Sequence, residues 1–219
     1  MSNREVWACN HDFRYWGRED QQLPPDGEDW RIWLVLGGRG AGKTRAGAEW
    51  VRARALNLWP GAGPRAERIA IVAPTFDEAR LVMIEGKSGL LAVHGADERP
   101  RYEPSKRQIT WANGAIAQIF SADEPESLRG PQFDAAWCDE LAKWRRAEEA
   151  FDMLAFALRL GETPRAVVTT TPRPSPLLKR LMADAATVTM RSRTTDNRAF
   201  LAARFLRDMR SRYGGTRLG

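Results

Sequence analysis

The sequence contains few of the residues that build disulfide frameworks or zinc sites. It has two cysteines, Cys9 and Cys138, and two histidines. Two cysteines cannot supply the several crosslinks of a small secreted domain, and two histidines leave little for a zinc site. The amino-terminal residues also lack the apolar core of a signal peptide. We therefore expect a protein of a reducing compartment, the cytoplasm.

Long hydrophobic runs are missing as well. The apolar runs are far shorter than the roughly 20 residues that cross a bilayer, so we expect no membrane contact. Hydrophobic residues make up 43% and charged residues 28% of the 219 residues. This balance is typical of a globular protein rather than a disordered chain, and the length suits one large domain with a real core.

Positive charge is concentrated towards the carboxyl terminus. The net charge is +6, but residues 165–219 carry twelve Lys and Arg against three Asp and Glu, whereas residues 1–164 carry 22 against 25. Such a segment is either a solvated helix face or a contact for an acidic partner such as nucleic acid. The charge pattern alone leaves both interpretations open.

Apolar strands alternate with helical segments along the chain. We predict strands at 31–36, 68–73, 133–138, 166–171 and 187–191, and helices at 43–56, 76–83, 147–160 and 197–213. The Asn113-Gly114 pair between 108–112 and 115–120 predicts a β-hairpin, because both turn positions would take positive φ. The alternation predicts an α/β fold with a mostly parallel central sheet flanked by helices.

The strongest motif is a glycine-rich loop between a predicted strand and a predicted helix. Its residues are Gly37, Gly38, Arg39, Gly40, Ala41, Gly42, Lys43 and Thr44. They satisfy the phosphate-loop pattern G-x-x-x-x-G-K-[ST], in which backbone N–H groups and a helix amino terminus surround a phosphate chain. We expect Lys43 to neutralise the β- and γ-phosphates of ATP and the Thr44 hydroxyl to bind Mg²⁺.

Two adjacent carboxylates, Asp139 and Glu140, follow the apolar segment 133–138. Side chains alternate along a strand, so the two acids need not share a role. We expect Asp139 to hold the Mg²⁺ shell and Glu140 to act as the general base that polarises the attacking water.

Hydroxyl groups end another predicted strand, at Thr169, Thr170 and Thr171. In a parallel sheet the carboxyl ends of strands line the crevice where ligands bind, so these hydroxyls are placed to sense the γ-phosphate. The β-propensity of threonine explains the same residues without any function.

Two arginines complete the candidate set. Arg39 lies inside the phosphate loop, where its guanidinium could stabilise charge in the transition state. Arg129 precedes the Asp139-Glu140 strand. Its sequence position is compatible with an arginine finger, a hinge contact or a simple salt bridge.

Together these motifs resemble the large terminase subunit of tailed bacteriophages and gene transfer agents. The resemblance covers residues 30–55, 69–80, 108–144 and 167–181. An arginine four positions before the phosphate-loop lysine and a Thr-Thr-Thr-Pro segment after the Asp-Glu strand are typical of that family. The resemblance implies a P-loop fold of the ASCE type with a β-hairpin insertion and a small carboxyl-terminal linker or lid. It also implies an ATPase that drives double-stranded DNA through a portal into an empty capsid.

The resemblance assigns roles to individual residues. Arg39 matches the family's cis arginine finger, Asp139 its magnesium acid and Glu140 its catalytic glutamate. Lys43 and Thr44 match the Walker A pair, and Thr169 to Thr171 match the coupling motif. The family also has a glutamine that contacts adenine, for which Gln22 fits best and Gln21 is the alternative.

The resemblance also implies domains and partners. Residues 1–190 would form the ATPase domain and residues 191–219 the start of the linker or lid. The family's nuclease domain would follow, and nothing in this sequence resembles its acids, so we expect no nuclease activity. The implied partners are double-stranded DNA, the portal protein, the small terminase subunit and further copies in a ring on the portal. We expect a monomer in isolation, located in the cytoplasm of the bacterial host and transiently at the procapsid portal.

Three other functions share parts of this pattern. A helicase-like ATPase has a similar acidic box but usually needs a second motor domain. A small P-loop kinase has a suitable length but no need for a hydrolytic glutamate such as Glu140. A non-catalytic nucleotide-binding module would bind nucleotide without turnover, although no part of the motif set is degenerate.

Overall fold

Eight strands form one central sheet in the computed structural model, which describes residues 12–27 and 29–213. The strands are β1 Ile32–Gly37, β2 Arg68–Ala73, β3 Arg101–Glu103, β4 Gln108–Thr110, β5 Ile116–Ser121, β6 Ala135–Asp139, β7 Arg165–Thr170 and β8 Thr187–Ser192. Their order across the sheet is β3-β4-β5-β2-β6-β7-β1-β8. Neighbouring strands are parallel except where β4 pairs with β3 and β5, which confirms the predicted fold class.

Helices cover both faces of this sheet. They are α1 Glu19–Gln22, α2 Lys43–Leu56, α3 Phe76–Glu78, α4 Leu90–Val93, α5 Ala147–Ala157, α6 Pro176–Ala183 and α7 Ala203–Tyr213. Helix α2 packs into a core with inward residues such as Trp33, Val35 and Ile71 on one face. Helices α5 and α6 pack over Leu34, Leu36 and other residues of the opposite face. Among the described residues, no helix is long and apolar enough to cross a bilayer.

The predicted hairpin is present, but its turn differs from the prediction. Strands β4 and β5 pair antiparallel around Asn113-Gly114. Gly114 takes a φ of 88°, whereas Asn113 does not adopt positive φ. Instead the Asn113 side chain accepts a hydrogen bond from the Ala115 N–H and donates one to the Ala55 carbonyl, so it closes the turn itself and ties it to α2. Strand β3, which was not predicted, extends the hairpin to three strands.

Three predicted helices have different limits. The segment predicted as 76–83 is α3 followed by a π-helical stretch, Ala79–Ile84. The helix predicted as 147–160 ends at Ala157, because the N–H groups of the residues that follow Leu158 bond to the Phe133 carbonyl. The helix predicted as 197–213 begins only at Ala203. A 3₁₀ segment, Thr194–Phe200, precedes it.

Helix α2 approaches the sheet closely at Gly47. A Cβ at this position would lie 2.3 Å from the Trp137 ring, and Trp137 is completely buried on β6. A glycine is therefore required here by contact with the sheet rather than by backbone conformation. The contact sets the distance between the helix that follows the phosphate loop and the strand that ends in the acids.

We expect Gly47→Ala to destabilise the protein. The methyl group would displace Trp137, and overpacking of this kind costs about 1–3 kcal/mol, which exceeds the roughly 1 kcal/mol that alanine gains in a helix. Denaturant unfolding would measure the loss. Gly61→Ala is the matched control, because a Cβ at Gly61 has no atom within 4 Å. Equal stability of the two variants would contradict the packing argument.

Candidate nucleotide site

The strand order brings the predicted motifs to one edge of the sheet. Strand β7 lies between β6 and β1. Thr169 of β7 is opposite Asp139 on one side and Val35 on the other. The loop that follows β1, the acids that end β6 and the threonines that end β7 therefore meet at the carboxyl edge, which is the usual ligand edge of a parallel sheet.

The phosphate loop adopts a conformation that its glycines permit. Gly40 and Gly42 have φ values of 73° and 89°, in the left-handed region that favours glycine. A Cβ at Gly37 or Gly38 would lie 2.5 Å from a hydroxyl of the segment that ends and follows β8. Gly40 and Gly42 are thus needed for the turn, and Gly37 and Gly38 for the close approach of a neighbouring chain segment.

The Lys43 ammonium is buried at the centre of the site. Its Nζ donates to the carbonyls of Gly37 and Gly38 at 3.0 and 3.1 Å, and lies 3.7 Å from Glu140 Oε1. Burial lowers the pKa of Lys43, and the nearby carboxylates of Glu140 and Asp139 oppose that shift. Lys43 therefore places a positive charge at the carboxyl edge of the sheet, where Glu140 and Asp139 partly neutralise it.

Asp139 is buried beneath this edge. Its Oδ1 accepts a 2.5 Å hydrogen bond from the Thr169 hydroxyl, which in turn accepts one from Trp137 Nε1 at 3.0 Å. Burial raises the pKa of Asp139 to about 6, although the Thr169 hydrogen bond acts in the opposite direction. The energetic cost of this buried carboxylate makes the position well suited to a cation.

Glu140 occupies a strained backbone conformation. Its φ of 47° and ψ of 43° lie in the left-handed region, which costs a non-glycine residue roughly 1–2 kcal/mol. Three hydrogen bonds hold the turn: the Lys143 N–H to the Glu140 carbonyl at 2.7 Å, the Ala142 N–H to Thr170 Oγ1 at 3.0 Å, and Trp144 Nε1 to the Asp139 carbonyl at 3.0 Å. Strain held in place by surrounding bonds is characteristic of functional sites.

Each of the three threonines has a different partner. Thr169 bonds to Asp139, and Thr170 accepts from the turn after Glu140. Thr171 Oγ1 donates to Glu140 Oε1 at 3.2 Å and accepts from Lys43 Nζ at 3.4 Å. The end of β7 thus connects the phosphate-loop lysine with both acids.

Arg39 is exposed at the rim of a cavity of about 1070 Å³ beside this cluster. Gly38, Glu140 and Thr171 also line the cavity, so Arg39 and Glu140 border the same space. Thr44 lies in the first turn of α2 and is half-buried. The structure therefore brings together all of the sequence-predicted candidates of the phosphate loop, the acid pair and the threonine segment.

Gln22 also lies against the phosphate loop. The residue is buried, and its Nε2 donates to the Gly42 carbonyl at 3.2 Å. Gln21 lies further out, where its Nε2 donates to Asp196 at 3.1 Å. Arg18, which sequence reasoning missed, donates to the Ala41 carbonyl at 2.7 Å. Both glutamines are engaged within the protein, and the adenine contact stays a prediction.

A carboxyl-terminal segment also holds the phosphate loop and was likewise missed. The Thr194 hydroxyl donates to the Arg39 carbonyl at 2.8 Å, and Asn197 Nδ2 donates to the Gly40 carbonyl at 2.7 Å. Asn197 makes this bond from a non-helical backbone, which explains why the predicted helix does not begin there. The partners are more than 150 residues apart in sequence, and no local pattern signals such a contact.

The sequence matches one family model over most of its length. The model of the terminase large subunit, T4likevirus-type, N-terminal, matches residues 34–217. This chain belongs to the terminase large subunit family. No curated protein sequence matches the chain significantly.

Solved terminase structures share the fold of this terminase chain. The ATPase domain of the Thermus phage P74-26 large terminase is 14% identical, with a TM-score of 0.60 over 87% of this chain and 89% of that one. The large terminase of a second thermophilic bacteriophage, in complex with ATP-gamma-S, is 14% identical, with a TM-score of 0.63 over 87% of this chain and 46% of that one. The bacteriophage Phi-29 packaging motor assembly gives 14% identity and a TM-score of 0.54, over 87% of this chain and 62% of that one.

Arg129 lies outside the cluster in this terminase. It is exposed in the loop between β5 and β6 and forms an ion pair with Glu126 at 3.3 Å. It does not line the cavity beside Glu140. Within a single copy Arg129 thus forms a simple salt bridge, and the finger and hinge interpretations stay predictions.

The donor set of the terminase site fits magnesium. Mg²⁺ prefers hard oxygen ligands, and the Thr44 hydroxyl and the Asp139 carboxylate are of that type. Burial without a full counter-charge raises the pKa of Asp139, so a divalent cation would stabilise its ionised form. Thr44 and Asp139 are therefore the residues that would hold the ion.

We expect Thr169→Val to destabilise the protein by about 1–3 kcal/mol, because Trp137 Nε1 would lose its buried hydrogen-bond acceptor. The Asp139 carboxylate would lose a donor at the same time. Unfolding in urea at neutral pH would measure the change. Thr169→Ser keeps the hydroxyl and is the matched control; if it lost as much stability as the valine variant, the hydrogen bonds would not be the cause.

Proposed function

We propose that this chain hydrolyses ATP and powers the translocation of double-stranded DNA into a procapsid. The observation that carries the proposal is the contact chain from Lys43 through Thr171 to Glu140, which joins a phosphate loop to a candidate general base. Family membership supports it, since the matched model describes the terminase large subunit. The ATP-gamma-S complex of the thermophilic-phage terminase and the packaging assembly of Phi-29 add support from the fold.

In the proposed reaction each residue of the site has a separate role. The triphosphate of ATP lies along the phosphate loop, Gly37 to Thr44, with Lys43 beside its β- and γ-phosphates. Glu140 accepts a proton from a water molecule as the water oxygen attacks the γ-phosphorus, and the bond to the bridging oxygen breaks towards ADP. Mg²⁺, when bound at Thr44 and Asp139, neutralises charge on the phosphates. Arg39, at the rim of the same cavity, stabilises the charge that develops on the γ-phosphoryl group.

The threonine segment couples this reaction to movement in our proposal. Thr169 contacts the magnesium acid, Thr170 the turn of Glu140, and Thr171 both Glu140 and Lys43. A change at the γ-phosphate would therefore affect the end of β7 through the hydrogen bonds of all three threonines. Arg129 is exposed, and its proposed role in a ring of copies is that of a finger or hinge contact. Gln22 is the proposed adenine contact, with Gln21 as the alternative.

The remaining proposals concern organisation and partners. Residues 1–190 form the ATPase domain and 191–219 the start of a linker or lid, with no nuclease activity in this chain. The predicted boundary falls inside β8, which pairs with β1 as far as Ser192. Portal protein, small terminase subunit and a ring of copies are the proposed partners, with a monomer in isolation. The proposed location is the host cytoplasm and, transiently, the procapsid portal.

A small kinase and a helicase are less well supported. A kinase transfers the phosphoryl group to an acceptor and gains nothing from a glutamate held in strained backbone beside the γ-phosphate position. A helicase-like ATPase usually completes its site with a second motor domain, and the described residues form a single sheet. Sustained strand unwinding or phosphoryl transfer to a small acceptor would favour these alternatives.

We expect Glu140→Gln to keep ATP binding and to lower the hydrolysis rate by about 100-fold or more, because the general base is lost. Phosphate production and nucleotide affinity should be measured with and without double-stranded DNA. Glu148→Gln, which removes one exposed charge from α5, is the control and should hydrolyse ATP normally. Unchanged turnover in Glu140→Gln would overturn the assignment of the base.

Arg39→Ala should slow turnover by at least about 100-fold while changing ATP affinity far less, because its charge interacts with the transition state. A comparison of kcat with the dissociation constant for ATP would separate the two effects. Arg31→Ala is the charge-matched control, since Arg31 is exposed just before β1, at the opposite end of that strand. Equal losses of rate and affinity in Arg39→Ala would mean that the residue only positions ATP.

A further inference from the structure

The cavity beside Glu140 extends well beyond the reacting groups. We call the part lined by Gly38, Arg39, Glu140 and Thr171 its inner end, and the part lined by Arg173 and by residues of α6, β8 and α7 its outer half. Helix α6 contributes Leu178, Lys179 and Met182, while α7 contributes Phe205, Asp208 and Met209. The volume of about 1070 Å³ therefore connects the position of the γ-phosphate with the carboxyl-terminal part of the protein.

Positive charge predominates around this cavity. The lining cations are Arg39, Lys143, Arg173, Lys179 and Arg191, and the lining carboxylates are Glu140 and Asp208. Lys143 forms an ion pair with Glu78 at 3.5 Å. Within the part of the chain that the structure describes, the other four cations have no carboxylate within 4.0 Å.

The placement of these cations follows from the fold. Lys143 is in the turn after Glu140, Arg173 is in the loop after Thr171, and Lys179 is on α6. Arg191 of β8 is opposite Leu36, at the end of β1. Four different chain segments thus place cationic residues around one concavity, which is an arrangement that attracts a compact, multiply charged anion.

The hydrolysis proposed above produces such an anion at the inner end of the cavity. Once the γ-phosphoryl group has been transferred to water, ADP still occupies the phosphate loop and blocks departure on that side. We propose that the outer half of the cavity, formed by Arg173, Lys179 and Arg191, is a transient binding site for inorganic phosphate and the route by which it leaves. This inference rests on the proposed function, but the anion site can be tested without turnover.

Equilibrium dialysis of radiolabelled inorganic phosphate against the protein loaded with ADP and Mg²⁺ tests the site directly. We expect Arg173→Gln and Lys179→Gln each to weaken phosphate binding about five- to tenfold, the usual effect of losing one charged contact. Lys179→Arg should restore it. Arg180→Gln is the matched control, because Arg180 is the next residue on α6 but pairs with Asp152 at 2.6 Å and does not line the cavity.

The outcomes separate the inference from its alternatives. Unchanged phosphate affinity in both Gln variants would overturn the inference. An equal loss of phosphate affinity in Arg180→Gln would also overturn it, because it would indicate non-specific attraction of the anion by nearby positive charge. Loss of affinity for a short DNA duplex without loss of phosphate binding would assign these cations to DNA and would also overturn it. If the unmodified protein hydrolysed no ATP, with or without double-stranded DNA, while phosphate binding depended on Lys179, the proposed function would fail and the anion site would stand.

Discussion

The register between β6, β7 and β1 is the constraint on which the rest of the site depends. Because Thr169 lies opposite both Asp139 and Val35, the three strands end within two residues of the same level. A shift of one residue would turn the Thr169 hydroxyl to the other face of the sheet and away from Asp139. Trp137, which donates to that hydroxyl and packs against Gly47, fixes the same register from the side of α2.

Charge balance explains why this edge is suited to a nucleotide. Two carboxylates and one ammonium meet there with little water, so burial shifts the pKa of Asp139 upward and that of Lys43 downward. Neither shift favours the isolated ionised groups. A magnesium ion beside Asp139 and a polyphosphate beside Lys43 would stabilise both charges. Binding of the magnesium–nucleotide complex would then offset the desolvation cost of burying these two charged groups.

Local sequence predicted most of the sheet and the three motifs, whereas contacts distant in sequence escaped it. The strand at 68–73 and the helix at 43–56 have the predicted limits, because apolar runs and turn residues define them locally. The late start of α7 could not be predicted, since Asn197 leaves helical geometry to bond to Gly40 and the extended backbone of Leu201 separates that segment from the helix. The turn at Asn113 likewise depends on Ala55, a tertiary partner. Motifs whose residues have a fixed spacing can be recognised from the sequence alone. The distant segments that bond to those motifs cannot.

The contacts to the phosphate loop imply a mechanical connection. Arg18 donates to the Ala41 carbonyl, while Thr194 and Asn197 donate to the carbonyls of Arg39 and Gly40. Arg18 also donates to Asn197 at 3.0 Å, so these contacts form one connected clamp. The carboxyl-terminal side of this clamp continues directly into α7, whose Phe205 and Met209 line the cavity next to Glu140. A change in the conformation of the phosphate loop would therefore alter the hydrogen bonds that the segment before α7 makes to it. That segment links the nucleotide site to α7 through hydrogen bonds rather than through the buried core, since the described side chains of α7 are exposed or half-buried.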